Sequence, residues 1–322
     1  MTVRRLVADI GGTNARFALH DPSTDSLERL QVLAAADYPD IDTAIDTYLA
    51  SAGAVHVSEA CFAVACPARD DEITFTNSSW HFSSDATRRR LGLTRFVTVN
   101  DFEALALSVP HIPPEALHCV RSGDADPTAP KVIVGPGTGL GVAGLIPVGE
   151  TAGQRRWVAV AGEGGHAGFA PTDELEIELL RHLSQGHERV STERVLSGQG
   201  LTGLFEFLTS RGGLQGRRLP PAEITALGLG GTDPTARAAL DWFCGLLGSV
   251  AGDVALTFGA RGGVFIGGGI MPRLLSVLAD SAFVPRFLAK GRLSRMLTPI
   301  PVFVILDPCA SLRGAASVLP RD

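Results

Sequence analysis

The chain has 322 residues, of which 45% are hydrophobic and 19% charged, with 37 Gly, 20 Pro and a net charge of −6. This length predicts two domains, and the composition excludes a chain dominated by disorder. The mild, scattered charge leaves no footprint for a polyanionic duplex or an anionic membrane, so neither nucleic acid nor membrane is an expected partner.

Five cysteines at positions 61, 66, 119, 244 and 309 form no CxxC pair and leave an odd thiol. That pattern predicts reduced cysteines in a cytoplasmic protein and no zinc site. Leu6 to Ile10 is too short for a signal-peptide core and already contains Asp9, so it reads as a buried first strand. The sequence shows no uninterrupted apolar stretch long enough to span a bilayer.

In chain order, Leu6–Ile10 and Phe17–Leu19 predict two strands joined by the turn Gly11-Gly12-Thr13-Asn14. Ile41–Leu49 has helical spacing, Ala60–Ala65 is an apolar strand closed by Pro67, and Ile73–Phe75 a short strand. Ser84 is expected to cap a helix running toward Leu91, whose Arg88-Arg89-Arg90 run reads as a solvated face. Phe96–Val99 predicts a strand that delivers Asn100 and Asp101, followed by a helix over Phe102–Leu107. Alternating strands and helices imply a layered α/β fold.

The periodic pattern breaks at Ser108–Pro114, the expected first passage between domains. Lys131–Val134, the turn Gly135–Gly141 and Val142–Ile146 then repeat the strand, glycine turn and strand of residues 6–19. Such a repeat is what a duplicated fold with a nucleotide between its halves requires. Glu174–Leu183 predicts an amphipathic helix, 211–221 an exposed loop, and Ala236–Leu256 a long, mostly buried helix. A strand ending in Gly267-Gly268-Gly269 precedes a helix expected near Pro272, and the tail holds a strand, Val302–Leu306, and a helix, Leu312–Leu319.

Glycine turns let backbone amides approach phosphate oxygens with no Cβ in the way, and a threonine hydroxyl adds a donor. Gly11, Gly12, Thr13 and Asn14 form one such turn and Gly137, Thr138 and Gly139 another, although plain hairpin turns share this composition. No lysine follows either, so a Walker-type loop is excluded. Asp9 is placed to hold Mg²⁺ through water or to cap the turn. Asn100-Asp101 at a strand's carboxyl end offers a base for phosphoryl transfer to an alcohol; the same dipeptide is also a common turn. Glu163, His166 and Glu193 suit bidentate hydrogen bonds to neighbouring sugar hydroxyls, and a metal is disfavoured because that motif holds a single histidine.

The motifs Asp9–Arg16, Val99–Phe102, Gly137–Gly141, Gly162–His166, Ser191–Gly198 and Gly267–Ile270, in that order and spacing, closely resemble the bacterial glucokinase family. The resemblance runs from about residue 5 to the C-terminus and is to the branch without zinc, because residues 167–200 contain no cysteine. It implies two actin-like ATPase (ribonuclease H-like) α/β domains flanking a substrate cleft. The expected division is a small domain, 1–110 completed by 301–322, and a large domain, 111–300. By this resemblance Asp101 matches the catalytic base, and Asn100, Glu163, His166 and Glu193 match residues that hold glucose. Asp9–Asn14 match the first phosphate loop, Gly137–Gly141 the second, and Gly267–Gly269 the turn beside the adenosine. Pro136 stands where the family is expected to carry a smaller residue. The implied reaction is ATP- and Mg²⁺-dependent phosphorylation of the glucose 6-hydroxyl by a cytoplasmic homodimer. The alternatives are a kinase for mannose or an N-acetylated amino sugar, and a non-catalytic sugar sensor. The lack of a helix-turn-helix segment before the first strand argues against a repressor.

Overall fold

The computed structural model describes residues 4–320 apart from 54, 67, 69, 76–79, 152–153 and 214–216. Pro67 and part of the expected loop at 211–221 therefore lie outside the described residues. The chain divides into two compact units, residues 1–114 with 307–322, and residues 115–306.

In the first unit, β1 (Arg4–Ile10) and β2 (Asn14–Asp21) form the expected hairpin, and β3 (Ser26–Ala34) extends it. Helix α1 (Ile41–Ala52) leads to β4 (Val57–Val64), which joins β1 in parallel. The short pair β5 (Glu72–Thr74) and β6 (His81–Ser83) precedes α2 (Ser84–Arg90). Its cap is Ser83 rather than Ser84: Ser83 is extended and its Oγ accepts the Ala86 amide at 3.0 Å, while Ser84 is already helical. Strand β7 (Arg95–Asn100) then pairs with β4, and α3 (Asp101–Ser108) follows without a loop. The sheet order is β3-β2-β1-β4-β7.

Strand periodicity divides this unit's core between the two sheet faces. Leu6, Ala8 and Ile10 point toward Ile45 and Tyr48 of α1 and toward Trp80. Val7 joins Ala63 and Val99 under Ala104 of α3 and under Leu312 and Ala315 of the last helix, Ala310–Val318.

The second unit builds its six-stranded sheet from β8 (Leu117–Arg121), β9 (Lys131–Pro136), β10 (Leu140–Thr151) and β11 (Gln154–Gly162), completed by strands nearer the C-terminus. Four helices follow: α4 (Glu174–Ser184), α5 (Gly198–Arg211), α6 (Pro221–Leu229) and α7 (Pro234–Phe258). After β12 (Val264–Ile266) come a 3-10 turn at Met271–Arg273, α8 (Leu275–Asp280), α9 (Phe283–Leu288), α10 (Ser294–Leu297) and β13 (Val302–Ile305). The order is β11-β10-β9-β12-β13-β8. Each sheet thus begins with three antiparallel strands and continues with two parallel ones, so the repeat seen in the glycine turns extends over five strands; β8 adds a sixth to the second sheet, antiparallel to β13.

Helix α7 is long and apolar enough to cross a membrane, but 67% of its apolar window is buried inside the protein, and it carries the second core with Leu240, Phe243 and Leu247. The tail divides differently from the expected 301–322 segment. Val302 and Val304 are fully buried in the second core and Phe303 stacks on Phe265 at 5.5 Å, so β13 belongs to the second unit. The terminal helix and its flanking residues complete the first unit.

Candidate active site

In the first unit, strand register brings the predicted residues to one sheet edge. Ile10 pairs with Val64, and Val64 with Asn100, so the carboxyl ends of β1, β4 and β7 lie side by side. Neighbouring strands are about 4.8 Å apart, which puts Asn100 roughly 10 Å across the edge from the start of the Gly11–Asn14 turn. That turn closes through the Gly11 amide, which donates to Asn14 O at 2.9 Å, while Ala35 N pins Thr13 O at 2.8 Å. The Gly12 and Thr13 amides donate to no group among the described residues, so both are available to a ligand.

Asp9 meets Arg16 at 2.9 Å across the hairpin. Burial pushes its carboxyl above the ordinary range, and the Arg16 guanidinium pulls the other way. A single carboxylate of this kind suits Mg²⁺ that keeps most of its waters and its nucleotide oxygens. Among the described residues no group of three or more His, Cys, Asp or Glu side chains could hold a metal by itself.

Asn100 is the N-cap of α3: its Oδ1 accepts Phe102 N at 2.9 Å and Glu103 N at 3.4 Å. Its Nδ2 reaches Cys66 O at 3.5 Å, which leaves one amide N–H for another acceptor. Asp101 is the first helical residue, and its carboxylate accepts Phe102 N at 2.9 Å. A helix N-terminus favours negative charge there, as a base requires. Burial, together with the Asp101 carboxylate nearby, pushes the Cys66 thiol up, an association the sequence does not signal.

In the second unit, the turn after β9 is tight: Gly137 N donates to Gly139 O at 2.8 Å, and Gly198 N reaches Gly137 O at 2.9 Å. Thr138 stands exposed at its tip. Glu193 is fastened to this loop, its Oε2 accepting Leu140 N at 2.8 Å. The segments carrying His166 and Glu193 are zipped together by Thr192 N donating to Ala167 O at 2.8 Å and by the Gly168–Ser191 bridge. His166 Nε2 lies 4.0 Å from Glu193 Oε1, and both line a cavity of about 210 Å³ with Arg189, Ser191 and Arg194. Glu163 is exposed, and its carboxylate has no partner among the described residues.

Gly267 N donates to Val134 O at 2.9 Å, which sets the Gly267–Gly269 turn beside the end of β9. The structure therefore groups Asp9, the first glycine turn, Asn100 and Asp101 in one unit, and the second glycine turn, Glu193, His166 and Gly267–Gly269 in the other. Sequence reasoning assigned no part to Arg16, Cys66, Arg189 or Arg194. Only Arg16, inside the first motif, carried a signal: its position opposite Asp9 across a predicted hairpin.

The two sheets and their glycine turns are those of an actin-like ATPase fold of the hexokinase kind. The glucokinase family profile matches residues 6–321. The glucokinase of Chromohalobacter salexigens is 45% identical over 322 residues, covering 100% of this chain and 99% of the relative. That of Chromobacterium violaceum is 47% identical over 315 residues, covering 98% and 89%. The chain belongs to the glucokinase family. Among solved structures, a glucokinase from an Antarctic psychrotroph superposes with a TM-score of 0.86 at 36% identity over 98% of each chain. A ROK-family glucokinase from Streptomyces griseus, in complex with glucose and AMPPNP, shares the fold with a TM-score of 0.66 at 20% identity over 98% of each chain.

Proposed function

We propose that this member of the glucokinase family, whose activity is the ATP-dependent phosphorylation of glucose, transfers the γ-phosphoryl group to the 6-hydroxyl with Asp101 as general base. The observation that carries this reading is the position of Asp101, at the first turn of α3 and on the same sheet edge as Asp9 and the open Gly12 and Thr13 amides. The Asp101 carboxylate takes the hydroxyl proton as the sugar oxygen bonds to the γ-phosphorus. The bond from that phosphorus to the β–γ bridging oxygen breaks, and ADP leaves.

The remaining residues bind and orient. Glu163, His166 and Glu193 hold sugar hydroxyls, with Asn100 adding its spare amide N–H. Gly11–Asn14 and Gly137–Gly139 receive phosphate oxygens on backbone amides, and Gly267–Gly269 abut the adenosine. Mg²⁺ brought with ATP supplies charge neutralisation at the phosphates, and Asp9 would hold it through water. The family resemblance also supports a homodimer in the cytoplasm, which light scattering and cell fractionation test.

The test is coupled ADP release with Mg²⁺-ATP across glucose, mannose, fructose and N-acetylglucosamine, followed by the Asp101→Asn variant. Turnover is expected on glucose, and Asp101→Asn should lose about 10²–10⁴-fold in kcat while still binding glucose. A variant that keeps most of its kcat would remove Asp101 from the mechanism.

A further inference from the structure

Three polar side chains on the cavity of about 210 Å³ that His166 and Glu193 share have no partner of their own. Arg189 and Arg194 are exposed, and among the described residues neither guanidinium makes a hydrogen bond, an ion pair or a ring contact. Ser191 is the third. It is 8% exposed and stands at the N-cap of the 3-10 turn Thr192–Arg194, yet its hydroxyl caps no amide and makes no other hydrogen bond among the described residues. A hydroxyl so nearly buried is costly to leave unpaired. The backbone that carries all three is fixed: Val190 O accepts Phe169 N at 3.1 Å, Ser191 bridges to Gly168, and Arg194 N donates to Ser191 O at 3.0 Å. The one carboxylate on the cavity, Glu193, is turned toward Leu140 N at 2.8 Å and lies 4.0 Å from His166. Two guanidinium groups against one carboxylate leave the cavity positive, and a neutral sugar supplies nothing to balance it.

We propose that this cavity is also an oxyanion site, which binds phosphate, free or as a monoester, in competition with the sugar. Guanidinium groups present planar forks of N–H donors that match phosphate oxygens, and hydrogen bonds between charged partners are the stronger kind. Arg189 and Arg194 supply that charge, and the Ser191 hydroxyl adds a donor from the cavity wall. The lining residues all belong to the second unit, so the site is separate from the Gly11–Asn14 turn of the first. Competition with the sugar rests on the reading of His166 and Glu193 as sugar ligands; the oxyanion site itself does not. Phosphorylated sugars and free phosphate would thereby restrain glucose uptake into the site.

The test is initial-rate kinetics of the full chain with inorganic phosphate or glucose 1-phosphate as inhibitor, at constant ionic strength balanced by chloride and at constant free Mg²⁺. Inorganic phosphate, the ester or both should raise the KM for glucose and leave kcat unchanged, while chloride alone does neither. The inhibition constant should rise at least about tenfold in Arg189→Gln and in Arg194→Gln, the scale of a lost hydrogen bond to a charged group. Inhibition by whichever of the two anions acts tells whether the site takes the free ion, the ester or either. Competition with ATP instead of glucose would place the anion on the glycine turns and overturn the proposal. So would the absence of inhibition, or an inhibition constant that neither arginine variant changes. If the wild type turns over no glucose, the proposed activity fails by itself, and broadening of the phosphorus NMR line of inorganic phosphate decides this site: it should be seen with the wild type and be lost in the arginine variants, and a line the wild type leaves sharp refutes it. The wild-type pattern of inhibition stands even if a variant fails to fold.

Discussion

The Glu193 carboxylate rests against Gly139: a Cβ at that glycine would meet Glu193 Oε2 at 2.4 Å. One candidate sugar ligand is therefore seated on the glycine turn after β9, by this contact and by the hydrogen bond from Leu140 N. Neither residue can change without the other responding.

Gly139→Ala should move the far end of Glu193, a flexible side chain, instead of breaking the fold. The expected result is a melting temperature within about 2 °C of wild type, since a yielding side chain costs under about 1 kcal/mol. The KM for glucose should rise at least about tenfold, the equivalent of ~1.4 kcal/mol. Steady-state kinetics beside a thermal melt test both halves; an unchanged glucose KM would separate Glu193 from sugar binding.

Asn100 caps α3 and is proposed to hold glucose, and two substitutions can separate the two roles. Asn100→Ala removes the cap of α3 and should cost about 1 kcal/mol, or about 2–4 °C in melting temperature. Asn100→Asp keeps the capping oxygen and should melt with the wild type. It exchanges the amide N–H for a carboxylate oxygen, however, so its glucose KM should still rise. If Asn100→Asp retains normal glucose affinity, the residue is a cap and nothing more.

How far these features were legible varies with their physical origin. The two hairpins could be read because a glycine run between short apolar strands leaves few other structures. The capping role of Asn100 was also written in Asn100-Asp101-Phe102-Glu103, an N-cap residue followed three positions later by Glu, although those residues were read for chemistry. The Ser83–Ser84 pair offered two equivalent caps, and only the backbone conformation at Ser83 decides between them. Helix α5 was missed because it opens with Gly-Gln-Gly, a poor helical start that the packing of Gly200 against Val195 and the burial of Leu201, Leu204 and Phe205 override. The destination of β13 depends on which sheet has room for Val302 and Val304, a long-range fact absent from local pattern. Arg189 and Arg194 reach their cavity through the fold of the Ser191–Arg194 turn, and nothing in an arginine's spacing announces that.

Asp9 is a group whose proposed role opposes stability. Its folded-state pKa is raised, so ionising it penalises the native state. The penalty begins as pH rises past the ordinary value of 3.8 and is complete above the raised native value. Asp9→Asn removes that penalty at neutral pH, offset by the lost Arg16 contact, which is partly exposed and worth little. The variant should melt no lower than wild type at pH 7 while needing far more Mg²⁺ for turnover. Magnesium titrations of initial rate, paired with melts, check it; a destabilised variant with a normal magnesium requirement would refute both the electrostatic account and the assigned role.

Gly268 and Pro136 make a last test, because they touch through backbone alone. Gly268 has φ +80°, and a Cβ there would lie 2.4 Å from Pro136 O and 3.2 Å from Gly135 C. No rotamer change relieves contact with a carbonyl, and the left-handed conformation adds its own cost. Gly268→Ala should therefore lose roughly 2–4 kcal/mol in urea unfolding and raise the KM for ATP, since the end of β9 and the turn it feeds must shift. Pro136→Ala leaves that carbonyl in place and frees only the unfolded chain, so it should cost at most about 1 kcal/mol and leave the KM for ATP unchanged. Should the proline variant instead impair ATP binding while Gly268→Ala does not, the ring of Pro136, and not the backbone contact, would be what shapes the proposed second phosphate loop.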